Sequence, residues 1–285
     1  MPETELKVAP SDRSFPCVYG AMLNDIGKER SINEDYAAYV IPRPQDPQYR
    51  RGILALVADG IGGHAAGEVA SALAAREVIR TYYDAGQPVE GALLAGFEAA
   101  NDVIYSESCR RVERRGMGTT CTAVAVREGR AYLAHVGDTR LYLLRSHDLR
   151  QLSEDHSLVM GLVRSGAITM QEAGERPDRN VILRALGTRA EVEVQVCGEG
   201  LPLQDGDVLL LCSDGLTDLV DDDTIKSILL RHPPLEACWA LIAAALDAGG
   251  HDNVSVGVFA FCSTAPRAAG PVRITRSGSI DGIPT

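Results

Sequence analysis

The chain has 285 residues, 45% of them hydrophobic and 24% charged, with a formal net charge of -11 at pH 7. This is the composition of a water-soluble unit able to bury a large core, and its negative balance argues against nonspecific nucleic-acid binding. The longest apolar runs, such as 53–58 and 240–246, are too short to span a bilayer, and the seven cysteines, none in Cys-x-x-Cys spacing, point to a reducing cytoplasm rather than a disulfide framework.

Residues 1–14 lack periodicity and a hydrophobic signal core, so they are expected to be a flexible lead. The core then opens with expected strands at 17–23, 36–41 and 53–58, the last an unbroken apolar run suited to a buried strand. From Gly67 the period becomes helical, and Val89, Leu93, Phe97, Ala100 and Ile104 mark one face of a second helix. Thr120, Thr122, Val124 and Val126 switch the period to two. With 131–136 and 141–144, and turns at Glu128-Gly129, Gly137-Asp138-Thr139 and His147-Asp148, they predict a meander of antiparallel hairpins. Short helices at 157–164 and 169–173 suggest a small insert. Strands are expected at 192–196, 208–212 and 254–261, with helices at 222–230 and 235–246 between the last two. Residues 264–285, rich in Pro, Gly, Ser and Arg, read as a disordered tail. Hairpins grouped apart from helices give an α+β layered fold in one unit, 15–263, and not an alternating βαβ one.

Four acidic segments flank these apolar runs: Asn33-Glu34-Asp35, Asp59-Gly60, Ser213-Asp214-Gly215 and His251-Asp252-Asn253. Strands that deliver carboxylates to their ends predict a cation cage, and an oxygen-only ligand set favours magnesium or manganese. Glycines after Asp59 would let a cation reach both a side chain and a bare carbonyl. Alone, each aspartate reads as a turn residue; together they favour the cage. His64 is by position a solvated loop histidine and Arg30 a surface arginine. Beside a cation site they become a general acid and a fork for phosphate oxygens.

Three rival readings are weaker. Gly60-x-Gly62-x-x-Ala65 follows a strand and opens a helix like a dinucleotide fingerprint, but no second parallel strand ending in an acid follows. Cys109 and Arg115 have the Cys-x5-Arg spacing of cysteine phosphatases, without a glycine between them, in what reads as continuing helix. Asp221-Asp222-Asp223 fits the acidic start of a helix better than an aspartyl-phosphate nucleophile.

Eight short segments keep one order along the chain. They are Asp25-x-Gly27-x-x-Arg30-x-x-Asn33-Glu34-Asp35, Ala58-Asp59-Gly60-Ile61-Gly62-Gly63-His64, Gly118-Thr119-Thr120, Val136-Gly137-Asp138-Thr139-Arg140, Asp155-His156-Ser157, Arg184-Ala185-Leu186-Gly187, Ser213-Asp214-Gly215-Leu216-Thr217-Asp218 and Asp252-Asn253. Their order is similar to that in metal-dependent protein phosphatases, so over roughly residues 17 to 262 the chain resembles the type 2C serine/threonine phosphatases, the bacterial stand-alone form most closely. Thr139 stands where that pattern commonly has serine, and His251 is unusual before Asp252.

The resemblance implies a four-layer αββα sandwich, two facing antiparallel sheets flanked by helices, with two manganese or magnesium ions at one edge. Asp59 would bridge both ions, and Gly60 would offer its carbonyl to the second. Asp214 and Asp252 would hold the first. Glu34 or Asp35 would serve the second, directly or through water. Asp138 with Asp214 resembles the ligands of a third, weaker ion. Arg30 would bind phosphate, His64 would protonate the leaving oxygen, and 157–185 would form a flap that influences substrate choice. The implied activity is hydrolysis of phosphoserine and phosphothreonine by a metal-activated water, with no covalent intermediate. The implied setting is a cytoplasmic monomer acting on phosphorylated proteins and paired with a serine/threonine kinase, without nucleic-acid or membrane partners. The alternatives are a phosphatase of small phosphoesters, or a noncatalytic binding module that keeps the fold.

Overall fold

The computed structural model describes residues 17–61 and 66–262. The expected lead at 1–14, the tail at 264–285 and His64 lie outside them. One antiparallel sheet runs in the order β1-β12-β11-β7-β8, where β1 is Cys17–Asp25, β7 Arg140–Arg145, β8 Asp148–Gln151, β11 Val208–Cys212 and β12 Val254–Cys262. The other runs β10-β6-β5-β3-β2, where β2 is Asp35–Val40, β3 Ile53–Ile61, β5 Cys121–Arg127, β6 Arg130–Val136 and β10 Leu201–Pro202. Two short strands join its path: β4 (Gly118–Thr119) pairs with β3, and β9 (Gln195–Val196) with β6.

The period of two sorts each strand between two cores. In β3, Leu54, Leu56 and Ala58 face α1 (Gly67–Asp84) and α2 (Val89–Arg110), packing with Val78, Tyr82, Leu93, Phe97 and Ile104. Ala55 and Val57 point the other way, into the layer between the sheets, where Val124, Leu141, Leu143, Leu209, Leu211, Phe259 and Phe261 lie. The outer face of the first sheet, β1-β12-β11-β7-β8, offers Tyr142, Leu210, Val256 and Val258 to α6 (Asp222–Arg231) and α7 (Pro234–Asp247), which follow the single turn α5 (Asp214–Thr217). Helix, sheet, sheet, helix: the α+β layering expected from the pattern is present.

Three expectations need correction. The meander is split between the sheets: β5–β6 is a hairpin of one and β7–β8 of the other, while β7 pairs with β11. The Gly137-Asp138-Thr139 turn therefore hands the chain across the interior. Alternation fixes which face a residue takes and leaves the pairing partner open. Gly137 sits at φ 110, and a Cβ there would come within 2.4 Å of the Thr120 side chain, so only glycine fits the crossing. The expected strand at 192–196 shrinks to Gln195–Val196, while Val192 and Val194 pack on the helix-side core. Finally, α2 stops at Arg110 and a 3-10 turn spans Val112–Arg114, so Cys109 to Arg115 is not one helix.

The dinucleotide reading fails here, because both full-length neighbours of β3 are antiparallel to it. Asp221 caps α6 as expected, its side chain accepting from Thr224 N at 2.8 Å. Residues 157–185 hold α3 (Leu158–Arg164), capped by Ser157, and α4 (Met170–Glu175), which has a full capping box from Thr169 and Glu172. Among the described residues, no helix is long and apolar enough to cross a membrane.

Leu211, wholly buried between the sheets, and Trp239, 55% exposed on α7, bracket the packing energetics. Leu211→Ala should cost about 2–5 kcal/mol in urea unfolding, and Trp239→Ala no more than about 0.5 kcal/mol.

Candidate metal and phosphate site

Continuing the strand alternation past the apolar layer makes one end of the interior polar. Ala37 and Tyr39 of β2 face between the sheets, so Asp35 does too. Ala55 and Val57 set the same side for Asp59, which is paired directly with Asp35 in register. Thr122, His135, Ser213 and Ser255 complete this buried polar end. Asp214 opens α5 immediately after β11, Asp252 stands two residues before β12, and Asp138 rides the crossing turn.

Hydrogen bonds stitch the sheets at this edge. Ser213 Oγ donates to Asp35 Oδ2 at 2.7 Å and accepts from Ser255 N at 2.9 Å. Asn253 Oδ1 accepts from Glu34 N at 2.7 Å, and its Nδ2 donates to Ile26 O at 2.9 Å and Ile32 O at 3.0 Å, clipping down the loop that bears Arg30. The Asp59 carbonyl accepts from Thr120 N at 2.9 Å and Thr119 Oγ1 at 2.7 Å.

The carboxylates suffer for their placement. Burial, then the neighbouring charges of Asp214 and Asp252, pushes Asp35 up to about 8 against the pull of its serine hydrogen bonds. Burial raises Asp59 well above the ordinary range, followed by the charges of Asp214, Asp35 and Asp138. Asp138 is raised likewise by burial and then Asp214. Burial lifts Asp214 to about 6, although a hydrogen bond with Asp59 opposes it. Low dielectric and like charge both favour the protonated forms, and a positive charge placed among these groups would reverse that.

Most of the expected residues meet at this edge, in two tiers. Asp35, Asp59, Asp138 and Asp214 gather between the sheets and perturb one another. Glu34, Arg30 and Asp252 lie at the rim: Arg30 Nη2 binds Asp252 Oδ2 at 2.6 Å, and its Nη1 stands 3.8 Å from Glu34 Oε2. His251 turns outward to Glu29 at 2.8 Å. Among the described residues, no three acids, histidines or cysteines stand in an arrangement that would hold a cation as placed. Instead Asp59 and Asp214 share a hydrogen bond and Asp252 is engaged by Arg30.

The donors nonetheless fit hard divalent cations. All are oxygens, and Asp138 Oδ1 and Asp214 Oδ1 are buried without a hydrogen-bond partner. A cradle also exists on the second-sheet side. A Cβ on Gly67 would lie 2.4 Å from Glu34 Oε1 and 2.9 Å from Gly60 O, so its absence lets these two oxygens converge. Glu68 was not anticipated. Its Oε2 is buried and unpartnered, and its charge raises Glu34 after burial itself and against the opposing charge of Arg30. No spacing rule marks it, since it reads as an ordinary acid in a first helical turn.

Comparison with known proteins gives a consistent result. A family model described as protein phosphatase 2C matches residues 31–248. The serine/threonine phosphatase stp of Listeria monocytogenes is 39% identical over 240 residues, covering 81% of this chain and 91% of that protein. Protein phosphatase PhpP of Streptococcus pneumoniae is 33% identical over 243 residues, covering 84% and 95%. The crystal structure of the Mycobacterium tuberculosis serine/threonine phosphatase PstP/Ppp superposes with a TM-score of 0.76 at 38% identity, covering 86% of this chain and 99% of that one. A PstP catalytic domain in complex with two manganese ions gives 0.74 at 38%, covering 86% and 98%.

The raised carboxylates set a pH dependence. Asp35 keeps its proton up to about 8 when folded and loses it near 3.8 when unfolded. Between those values the folded state binds more protons, so stability falls as pH rises through the window. In EDTA, thermal unfolding should therefore come earlier at pH 8.5 than at pH 5.5 (on the order of several degrees for a fraction of the window's linkage). Asp35→Asn should flatten that slope, and manganese should oppose it.

Proposed function

The chain belongs to the protein phosphatase 2C family, and from that premise we propose that it removes phosphate from phosphoserine and phosphothreonine in proteins, using two manganese or magnesium ions seated among its carboxylates. The unpartnered, buried oxygens of Asp138 and Asp214 carry this reading, because a folded protein rarely leaves such atoms without a counterpart. The names of its relatives, serine/threonine phosphatases in both sequence and structure comparisons, support it.

Asp59 would bridge the ions, with Asp214 and Asp252 on the first and the Gly60 carbonyl on the second. Glu34 suits the second ion better than Asp35. Its Oε1 shares the Gly67 cradle with Gly60 O, whereas Asp35 is held inward by Ser213 and serves as a tie between sheets. Asp138, with Asp214, would hold a third and weaker ion. The bound ions would supply Lewis acidity and a water acidic enough to act as nucleophile near neutral pH. Arg30, released from Asp252 once that carboxylate turns to its ion, would fork onto the phosphate and offset charge on its equatorial oxygens. His64 would give a proton to the departing serine or threonine oxygen.

The catalytic unit would span 15–263, with 157–185 as a flap beside the site. The enzyme would work as a cytoplasmic monomer that opposes a serine/threonine kinase.

Asp214→Asn should lower manganese-dependent release of phosphate from a phosphothreonine peptide by more than about a hundredfold, the upper range seen for residues that merely support ligands. Removing one of the crowded charges should leave its stability in EDTA equal to or above the parent's. Near-parent turnover would refute the ligand assignment. His64→Ala should slow peptide hydrolysis more than aryl phosphate hydrolysis, because a good leaving group needs little protonation; equal losses would remove His64 from that role.

A further inference from the structure

His156 sits where two otherwise separate features meet. It is 5% exposed, and its backbone N–H donates to Gly137 O at 2.7 Å. In return Gly137 N donates to His156 Nδ1 at 3.1 Å, so both faces of this contact fix the turn that carries Asp138. The carbonyl of His156 accepts from Leu183 N at 2.7 Å, Ser157 bridges to Ile182, and Leu158 N donates to Val181 O at 2.8 Å. The return stretch of the 157–185 segment is thereby docked on the same three residues.

The other side of the turn is bolted independently. The His135 ring lies 4.9 Å from that of His156, and one proton arrangement satisfies its contacts. With His135 neutral and its Nε2 donating to Glu154 O at 3.1 Å, the single Thr122 Oγ1 proton goes to His135 Nδ1 at 2.7 Å rather than to Thr139 O at 2.9 Å, and Thr122 Oγ1 accepts from Thr139 Oγ1 at 2.7 Å. With Nδ1 of His156 accepting, its Nε2 carries the proton. Arg184 Nη1, 3.4 Å away, then faces a donor and makes no hydrogen bond to it. Arg184 instead pairs with Glu193 at 2.8 Å.

We propose that His156 is a positioning residue that sets the register of the 157–185 segment and the pose of Asp138 together. Its ring holds the turn and its backbone holds the segment, so neither shifts without the other. Burial and the nearby Arg184 lower its basicity to about 4, which keeps the lone pair on Nδ1 available at working pH. The kinetic consequence rests on the phosphatase reading; the structural one does not.

The test compares His156→Phe, which keeps a ring and deletes the acceptor, with His156→Asn, whose amide oxygen falls near the place of Nδ1. Two readouts need no turnover: trypsin cleavage at Arg164 or Arg179 in the manganese-loaded protein, and the weakest manganese binding event by titration calorimetry. A third is KM for a phosphothreonine peptide. His156→Phe should speed cleavage and weaken that manganese event, each by about fivefold or more, the loss expected when one buried N–H goes unpaired. Peptide KM should rise with them, and His156→Asn should restore all three. If the Phe variant does not fold, His156→Gln, which moves the acceptor away from Gly137 N, carries the same expectation. Movement of cleavage without the manganese event, or the reverse, would overturn the proposal, as would unchanged values or a loss that Asn fails to rescue. Absence of turnover in the parent would sink the phosphatase reading and leave the first two readouts standing.

Discussion

Four carboxylates pressed between two β-sheets are the constraint to which the rest of this structure answers. Asp35, Asp59, Asp138 and Asp214 sit where burial and mutual repulsion both oppose their ionised forms. Such a cluster is costly in a low-dielectric interior unless protons or cations join it. The fold holds it without letting the sheets part, because the apolar layer beneath, from Val57 and Val124 to Leu211 and Phe259, is continuous with the polar end above it. Charge and core belong to one surface, sorted by the alternation of the same strands.

Each sheet is backed by its own helical pair, so each half of the site rests on a separate hydrophobic core. What sets their separation at the carboxylate edge is a small group of neutral hydrogen bonds. Ser213 ties Asp35 to the opposite sheet, and Asn253 holds the loop that bears Glu34 and Arg30. Neutral ties suit this task, since they position ionisable groups without adding further charge to a crowded interior. The rim is looser. Arg30 and Asp252 form a half-exposed ion pair, their side chains 46% and 38% accessible, so solvent weakens its hold and a better partner for either can displace it. A firm floor with an exchangeable rim is the arrangement a hydrolase of charged substrates requires, and it agrees with the family to which the chain belongs.

The sequence made most of this architecture legible. The unbroken run at 53–58 and the change of period near Thr120 announced buried strands and hairpins, and they are there. Aspartates at strand ends announced the cluster, and the order of eight short segments announced the family. These signals are local: they need only the direction in which side chains alternate and the residues a turn demands. Glu68 and the inter-sheet role of Asp35 left no such mark. An acid in a helix's first turn has the same appearance whether its carboxylate meets solvent or a buried neighbour.

Taken by itself, then, the sequence determined the layers, the faces of each strand, the acidic set and the family. Tertiary structure alone decided three things. It split the expected meander between two sheets at Gly137, separated the adjacent Glu34 and Asp35 into a rim acid and an interior tie, and placed His156 between the Asp138 turn and the 181–183 stretch. The reason is physical. Strand alternation and turn chemistry act within a few residues, whereas partner choice, burial and the field of distant charges depend on segments as much as 227 residues apart coming to lie against each other.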